Sequence, residues 1–403
     1  MEIYIKDKFS RRNYLPLFLF AVLNIAGVIW MFHDGVSWTD FPLQWRTCAY
    51  TLRGVDAYLM RDNVGYIPEI GTLGAGFHAV PWGCLLANVF YAGFLPYHSA
   101  EIYFIALYIA VIIGVSFLLY VKTKTLSKEL GIMSFIISLT STNLFIAIHE
   151  GNAGGMICAF LVTAWLICDE HPYISGILIG LAMVKPQDAA IVCVAMLLMR
   201  RFVPVVVAAV IDVVAWAGTS YLVKRGMFEL IKEFLFGSQR TNVGADVINP
   251  FAGIFTLATD NFLLSVAASM VFGIIFVYVM YRSLPADMPE MFKIYPAFMA
   301  MTFWCYSYVL DNYVLIIPAC ICLWLMLKSA ELSRFTLWMS CGLFCVNGAI
   351  VRSVLYRVFM RIYSSLTYPR AYDIARTIYE LGIIAVGIII CFELRRIYSE
   401  AKS

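Results

Sequence analysis

The chain has 403 residues, of which 62% are hydrophobic and 14% charged, with a formal net charge of +3. This composition is typical of one integral membrane unit over residues 1–403 rather than of separate soluble domains. The small, scattered positive charge argues against nucleic-acid binding. A membrane-crossing helix needs about 20 apolar residues, so we predict an all-α bundle of about 12 transmembrane helices.

The N-terminal region predicts a first helix that stays in the membrane. Lys6, Lys8, Arg11 and Arg12 precede an apolar run over residues 14–32. The run is too long for the core of a signal peptide, and no small-residue cleavage site follows it. Because basic residues collect on the cytoplasmic side, we predict a cytoplasmic N-terminus.

Residues 33–97 are predicted to form a long outer loop, since they contain too many charges to cross lipid. Within this loop, the apolar piece 77–95 is either a full span or a half-inserted helix. We favour the half-inserted helix, because the next span, near 101–121, then ends at Lys122 and Lys124 in the cytoplasm.

The rest of the chain alternates between the two faces. Further spans are predicted near residues 131–148, 154–168, 173–184, 187–199, 203–223, 262–281, 294–309, 313–327, 335–351 and 377–394. Their basic ends predict a multi-pass plasma-membrane protein with both termini in the cytoplasm. A second outer loop over 224–261 includes 226–237, where apolar residues at helical spacing predict an interfacial amphipathic helix.

Basic residues are also found in segments that this topology places outside. They are Lys224, Arg225, Lys232, Arg240, Arg352, Arg357, Arg361, Arg370 and Arg376. Outer basic residues run against the usual charge bias and indicate either an anionic ligand or contact with anionic lipid headgroups. The sequence leaves both alternatives open.

The first polar cluster lies just beyond the first span and contains Asp40 and Arg46. A carboxylate at this place is a candidate general base that takes a proton from a hydroxyl group. The alternative is a helix N-cap, because a helix-compatible run through Tyr50 follows Asp40. Taken alone, these residues favour the N-cap.

Two further clusters interrupt later spans. Residues 149–155 combine His149, Glu150 and Asn152 with glycines that permit close backbone approach to a ligand, although an ordinary helix–helix turn has the same composition. Residues 183–188 place Lys185 directly before a proline that ends a helix. A lysine expected at the outer membrane boundary is suited to a phosphate, and a snorkelling side chain is the alternative.

The last cluster, residues 306–313, contains Asp311 and Asn312, which are suited to hydrogen-bonding sugar hydroxyls. Its aromatic residues are equally typical of an interfacial belt. The predicted topology places all four polar clusters on the outer face. Asp212, inside the predicted span 203–223, is either a buried structural partner or a proton site. The common phosphate-loop, zinc-protease and esterase motifs are absent from the sequence, so no soluble-type nucleotide site is predicted.

Taken in order, these clusters resemble one family. Residues 39–42, 46–49 and 53–58 are similar to the first outer loop of polyprenyl-phosphate-dependent glycosyltransferases of the GT-C class, in particular the DUF2029 family, glycosyltransferase family 87. The resemblance continues through Val80-Pro81-Trp82, Glu150-Gly151-Asn152, the run from Gly180 to Gln187, and Asp311-Asn312-Tyr313. It covers most of residues 30–320.

The resemblance implies a GT-C-like fold and a mannose-like hexose transferred with inversion from a polyprenyl-phosphate carrier to a lipid-linked or glycan acceptor. Asp40 would be the catalytic base and Lys185 would contact the donor phosphate, to which we add Arg46 and Arg240. Substrate binding is assigned to His78, Glu150, Asn152, Gln187, Asp311, Asn312 and Tyr313. The carrier lipid delivers an activated sugar, so no cofactor is expected, and the need for a divalent metal stays open.

The chain departs from the family pattern at two positions. Pro81 stands alone where a pair of prolines is usual, and Asn312 replaces a histidine that many members carry. Asparagine cannot relay a proton, so His78 and His149 become candidates for any such role. Two other functions stay open: a polysaccharide polymerase or ligase that uses the arginines over 352–376, and a secondary transporter of an anionic solute. A transporter predicts paired internal repeats, which the sequence does not show convincingly.

Overall fold

The computed structural model describes residues 14–32, 40–58, 67–71, 82–237, 262–304, 309–329, 331–362 and 368–400, and in these ranges all regular elements are helical. The helices are α1 (Tyr14–Phe32), α2 (Phe41–Leu52), α3 (Cys84–Tyr91), α4 (Tyr97–Lys124), α5 (Lys128–Leu139), α6 (Thr142–Glu150), α7 (Gly154–Ile167), α8 (Pro172–Ala182), α9 (Pro186–Leu198), α10 (Phe202–Val223), α11 (Met227–Gly237), α12 (Phe262–Ser283), α13 (Tyr295–Ala300), α14 (Ile316–Lys328), α15 (Leu332–Val346), α16 (Gly348–Ile362) and α17 (Tyr368–Glu400). Short 3₁₀ helices lie at Glu290–Phe292 and Val309–Leu315.

The prediction of an all-α membrane protein is confirmed, whereas the count of about 12 spans is not. Within the described ranges, six helical stretches are long and apolar enough to cross a membrane: Tyr97–Lys124, Lys128–Glu150, Phe202–Val223, Val266–Ser283, Asp311–Lys328 and Ile374–Glu400. The bent pair α15–α16 would make a seventh. Several predicted spans are instead shorter helices, among them α7, α8 and α9 with 14, 11 and 13 residues.

These three short helices all meet one end of the bundle, where charged side chains pair with one another. There Lys122 contacts Glu170, and Arg201 contacts Asp169 and Glu290. We call these five residues the charged end. Because a helix rises about 1.5 Å per residue, α7, α8 and α9 extend only about 17 to 21 Å from it.

The opposite tips of the short helices therefore lie inside the bundle. A hydrocarbon core is about 30 Å thick, whereas α4, with 28 residues, is about 42 Å long. Gly154 at the start of α7 and Lys185 between α8 and α9 are thus recessed below the far ends of the long helices. The expectation that Lys185 lies at the outer membrane boundary stays a prediction.

Three other predicted segments can be compared with the structure. The span 335–351 is wrong as a single helix, because the chain bends by 91° between α15 and α16. At the bend the Asn347 side chain donates to the carbonyl of Leu343, 3.1 Å away. Helix α3, with eight residues, is too short to cross, in keeping with a half-inserted segment. Helix α11 confirms the helix predicted over 226–237.

The core lies around α14, which is the most enclosed of the six stretches, with 89% of its apolar window buried. Alanine and cysteine side chains such as Ala319, Cys320 and Cys322 allow neighbouring helices to approach it. By contrast, α4 and α10 expose large apolar side chains, including Phe117 and Val206, as expected of lipid-facing helices.

Candidate functional site

Five chain segments meet at the recessed tips of the short helices. They are the start of α2, the end of α6, the start of α7, the break between α8 and α9, and the 3₁₀ helix Val309–Leu315. Each is a helix terminus, so each brings polar backbone and side-chain groups into an otherwise apolar bundle. Asp40, Asn152, Lys185 and Asp311, one residue from each of the four polar clusters, are brought together here.

Asp40 occupies the N-cap position of α2, but its side chain does not cap the helix. Its Oδ2 instead accepts a hydrogen bond of 2.7 Å from Nδ2 of Asn152. Its backbone N–H donates to the carbonyl of Glu150, 2.9 Å away. The N-cap alternative is thus wrong for this carboxylate, which is held between two helix ends.

The surroundings of Asp40 favour a stronger base than an ordinary aspartate. Burial raises the pKa of the Asp40 carboxyl above its usual value, while the hydrogen bond from Asn152 and the charge of Lys185 lower it. The charges of Glu150 and Asp311 add to the rise. A carboxylate with a raised pKa holds an accepted proton more firmly.

Lys185 and Asp311 form an ion pair beside this carboxylate. The Lys185 Nζ donates to Oδ1 of Asp311 at 2.5 Å, and the two side chains are 16% and 0% exposed. Cys158 supports the pair, because its Sγ donates to the backbone carbonyl of Asp311, 2.9 Å away. An ammonium group has three donors, so this bond with Asp311 uses one of them.

Gly154 lies between the Asp40–Asn152 hydrogen bond and the Lys185–Asp311 ion pair. Its backbone N–H donates to Oδ1 of Asn152 at 2.8 Å. A Cβ atom built on Gly154 would lie 2.9 Å from Nζ of Lys185, 3.0 Å from Oδ1 of Asn152, and against Oδ1 of Asp311. Three polar groups therefore crowd onto the backbone at Gly154, and only a residue without a side chain fits. We call Asp40, Asn152, Gly154, Lys185 and Asp311 the recessed site.

Three other predicted substrate-binding residues, Glu150, Gln187 and Asn312, contact neighbouring protein groups. Oε1 of Glu150 lies 3.2 Å from Nδ1 of His149. Gln187 uses its backbone carbonyl to accept from the Trp304 indole at 2.8 Å. The backbone carbonyl of Asn312 accepts from the Asn143 amide at 3.3 Å.

The contacts given for Tyr313 and Arg46 are with residues outside the recessed site. The Tyr313 hydroxyl pairs with Ser138 at 2.6 Å, deep among buried helices. Arg46 lies beside Gly71, with its Nε 3.6 Å from a Cβ built there. The remaining two predicted ligands, His78 and Arg240, lie outside the described residues.

The structure also adds residues that sequence reasoning missed. The Tyr91 hydroxyl accepts from the backbone N–H of Ala153 at 3.0 Å and so holds the turn before Gly154. Asp188 is 0% exposed on the first turn of α9, where its charge interacts with Lys185 and Asp311. The Lys-Pro-Gln-Asp run signalled Asp188, whereas nothing in the sequence connects Tyr91 with Ala153.

Asp212 has a structural partner rather than a place in the recessed site. Its Oδ1 accepts from the Trp82 indole N–H at 2.6 Å. The Trp82 ring also packs edge-on against Trp216 and Phe234, with centroid separations of 4.8 Å in both cases. The buried-partner alternative for this intramembrane carboxylate therefore matches the contacts found.

Chemically, the recessed site combines a proton acceptor with a cation in a setting of restricted solvent access. The charges and hydrogen bonds in such a setting act more strongly than in water. Among the described residues, no group of three or more His, Cys, Asp and Glu side chains is arranged to hold a metal ion. The arrangement suits deprotonation of a hydroxyl group next to an anionic leaving group.

A model of glycosyltransferase family 87 matches residues 81–353, more than half of the chain. The matched range contains Asn152, Lys185 and Asp311, whereas Asp40 precedes it. No curated protein and no solved structure matches the chain at a significant level.

Proposed function

We propose that this chain, which belongs to glycosyltransferase family 87, moves a mannose-like hexose from a polyprenyl-phosphate-sugar donor to a lipid-linked or glycan acceptor. The active site would face the extracytoplasmic side of the plasma membrane, with both termini in the cytoplasm. The observation that carries the proposal is the carboxylate of Asp40, which is not used as a helix cap and lies in the same recess as Lys185.

In the proposed reaction Asp40 is the general base. An acceptor hydroxyl gives its proton to the Asp40 carboxylate while its oxygen forms a bond to the anomeric carbon of the sugar. The bond between that carbon and the phosphate oxygen breaks, and its electron pair leaves with the polyprenyl phosphate. A single displacement of this kind inverts the anomeric configuration. The raised pKa of Asp40 supports this role, because a base is most effective when its pKa approaches the working pH.

The donor phosphate would be met by cations. Lys185 is assigned to it, with the donors that the bond to Asp311 leaves available, and Arg46 and Arg240 complete the assignment. Sugar and acceptor hydroxyls would be bound by His78, Glu150, Asn152, Gln187, Asp311, Asn312 and Tyr313. No cofactor is proposed, since the carrier phosphate is already a leaving group.

The decisive experiment is sugar transfer by the purified full-length protein in lipid nanodiscs. Radiolabelled polyprenyl-phosphate sugars are offered with a membrane-lipid acceptor extract, and the wild type is compared with Asp40→Asn. Losing a general base should slow transfer about 10²- to 10⁴-fold. Glu69→Gln is the matched control, because Glu69 is exposed in the same predicted loop, and it should leave the rate unchanged.

The outcomes separate the hypotheses. Full activity of Asp40→Asn would refute the base assignment, and a product of retained configuration would refute the single displacement. If the wild type transfers from none of the donors but moves an anionic solute into closed lipid vesicles that contain the purified protein, the transporter alternative is correct. Growth of a long glycan on a polyprenyl carrier would instead identify a polymerase.

A further inference from the structure

Asp188 is a buried carboxyl group that the proposed reaction does not use. It lies on the first turn of α9, three residues after Lys185, and it is 0% exposed. Neither of its side-chain oxygens has a hydrogen-bond partner among the residues that the structure describes. Burying an ionised carboxylate without donors costs far more than burying a neutral carboxyl group. The position of Asp188 therefore favours the form that keeps its proton.

Three carboxyl groups lie within the field of Lys185. The Lys185 Nζ donates to Oδ1 of Asp311 at 2.5 Å, and its charge also acts on Asp40 and on Asp188. The charge of Asp311 works against the ionisation of both other groups. One ammonium group can neutralise only one carboxylate, and like charges at close range disfavour each other. The recess is therefore more stable when one of the three carboxyl groups keeps a proton.

Hydrogen bonds indicate which of the three groups holds that proton. Asp311 accepts from Lys185, and Asp40 accepts from the Asn152 amide at 2.7 Å. Both bonds favour an ionised acceptor, because a carboxylate gains more from a donor than a neutral carboxyl group does. Asp188 accepts no side-chain hydrogen bond from the described residues. Asp188 is thus the group that loses least by staying neutral.

The titratable groups around Asp188 can be named element by element. Its charged neighbours are Lys185, directly before α9, and Asp311, in the 3₁₀ helix Val309–Leu315. From α7, the Cys158 thiol lies in the field of Asp188 and keeps its proton while its Sγ donates to the Asp311 carbonyl. Helices α8, α10, α12 and α13 also pack against α9, but none of their described side chains acts electrostatically on Asp188.

We propose that Asp188 is a positioning residue, which holds a proton and so keeps Lys185 paired with Asp311 in the recessed site. While Asp188 is neutral, Asp311 is the carboxylate that holds the ammonium group by a hydrogen bond. When Asp188 ionises, its proton passes to solvent and the electron pair stays on its oxygen. A second carboxylate then attracts the same ammonium, and the bond between Lys185 and Asp311 weakens. The importance of this pairing for sugar transfer rests on the proposed function.

Infrared spectroscopy tests the protonation state, because the carbonyl stretch of a protonated carboxylic acid is distinct from the bands of a carboxylate. Full-length protein in lipid nanodiscs is measured at neutral pH, and the spectrum of Asp188→Asn is subtracted from that of the wild type. The difference should contain a protonated-acid band, which titration to alkaline pH removes. Carboxylate bands at neutral pH in place of this band would overturn the proposal.

Asp169→Asn is the matched control for the infrared measurement. The Asp169 side chain is 61% exposed and pairs with Arg201 at 2.7 Å. An exposed, paired carboxyl group is ionised at neutral pH, so the difference spectrum of this variant should contain carboxylate bands only. A protonated-acid band in both difference spectra would mean that the band does not report burial, and it would overturn the assignment to Asp188.

A second variant tests the charge count without depending on how Asp188→Asn folds. Asp311→Asn removes the charge that works against the ionisation of Asp188 and leaves Lys185 without its hydrogen-bonded carboxylate. Asp188 should then ionise as the new partner of Lys185, and the protonated-acid band at neutral pH should become weaker than in the wild type. A band of wild-type intensity in Asp311→Asn would contradict the shared-proton explanation.

The pH dependence of sugar transfer tests the positioning role. Wild-type kcat/KM should fall about tenfold per pH unit once Asp188 ionises. Asparagine has the size and charge of the neutral carboxyl group, so Asp188→Asn should flatten this alkaline limb. A merely structural role predicts a rate that changes by the same factor at every pH, with the alkaline limb still present. That result would overturn the positioning role.

These readouts separate failure of this inference from failure of the proposed function. The infrared bands require no sugar transfer. A proton on Asp188 in a protein that transfers no sugar would sustain the proton assignment and refute the glycosyltransferase proposal. Transfer that depends on Asp40 but has the same alkaline limb in the wild type and in Asp188→Asn would refute the positioning role alone.

Discussion

The two ends of the short helices contain the same kinds of residues in opposite environments. At the charged end, Lys122 pairs with a Glu170 side chain that is 61% exposed. In the recessed site, Lys185 pairs with an Asp311 side chain that is fully buried. A carboxyl group at each end also differs in its pKa: a hydrogen bond from Lys122 lowers the pKa of Glu170, whereas burial raises the pKa of Asp40, the neighbour of the Lys185–Asp311 pair.

This difference shows that burial, and not residue type, separates the environments of the two ion pairs. Exposed pairs are screened by water and contribute little to stability. A buried charge depends on its partner, because nothing else solvates it. The four predictions below perturb one end at a time, and the first compares matched lysines at the two ends.

The largest effect is expected from breaking the buried ion pair. Lys185→Met removes the ion-pair partner of the buried Asp311 carboxylate and should lower the free energy of unfolding by about 3–5 kcal/mol. The measurement is denaturant unfolding in mixed micelles. The matched change, Lys122→Met, should cost far less, because Glu170 can be solvated by water. Equal losses in the two variants would contradict the comparison, and adding Asp311→Asn to Lys185→Met should recover part of the loss.

A steric change at Gly154 should damage activity with less effect on the fold. The added methyl group of Gly154→Ala would push against Asn152, Lys185 and Asp311. Displacing reacting groups by about 1 Å can cost roughly a hundredfold in rate, so transfer should fall by about that factor. Gly114→Ala is the control, since a Cβ at Gly114 meets nothing within 4 Å. Normal transfer by Gly154→Ala would show that these three groups are not needed in their present positions.

The pH dependence of transfer should report the environment of Asp40. The base must be ionised, so activity should be lost as the pH falls through the raised pKa of Asp40. Asn152→Leu removes a hydrogen bond that lowers this pKa, and it should move the acid limb of the rate profile to higher pH. The measurement is kcat/KM as a function of pH. An acid limb at the same pH in both proteins would show that it does not report the ionisation of Asp40.

The smallest effect is expected at the charged end. Glu170→Gln removes an exposed carboxylate whose pKa is lowered by Lys122. Because the pKa of Glu170 is lower in the folded than in the unfolded chain, its interaction with Lys122 stabilises the fold above the unfolded-state pKa. This stabilisation is lost as the pH falls through the folded-state pKa. We therefore expect unchanged transfer at neutral pH and a thermal midpoint slightly less sensitive to acid than that of the wild type. A clear loss of transfer would mean that the two ends are coupled.

Much of the helical content could be predicted, because it depends on local composition. Long apolar runs predicted α1, α4, α10 and α12 within a few residues, since backbone groups in lipid must be satisfied inside one segment. The alternation of the apolar runs also placed Asp40, Asn152, Lys185 and Asp311 on one side of the bundle. Their order along the chain was sufficient for that prediction.

Other features could not be predicted, because they depend on how helices pack. Apolar composition makes α7, α8 and α9 look like spans, and only their lengths in the fold show that their tips are recessed. The bend at Asn347 is hidden inside an apolar run that continues on both sides. Arg352 and Arg376 were noted as outer basic residues, but their burial around Glu380 requires α16 to fold back against α17.

The sequence by itself determined a helical membrane protein with its polar clusters on one side, and it marked Asp40 as conspicuous. Only the tertiary structure decided what Asp40 does with its side chain. Its partner Asn152 is 112 residues away, and Lys185 and Asp311 are separated by 126. Contacts at such separations arise from the packing of whole helices, and that packing turned an apparent N-cap into a half-buried carboxylate with a raised pKa.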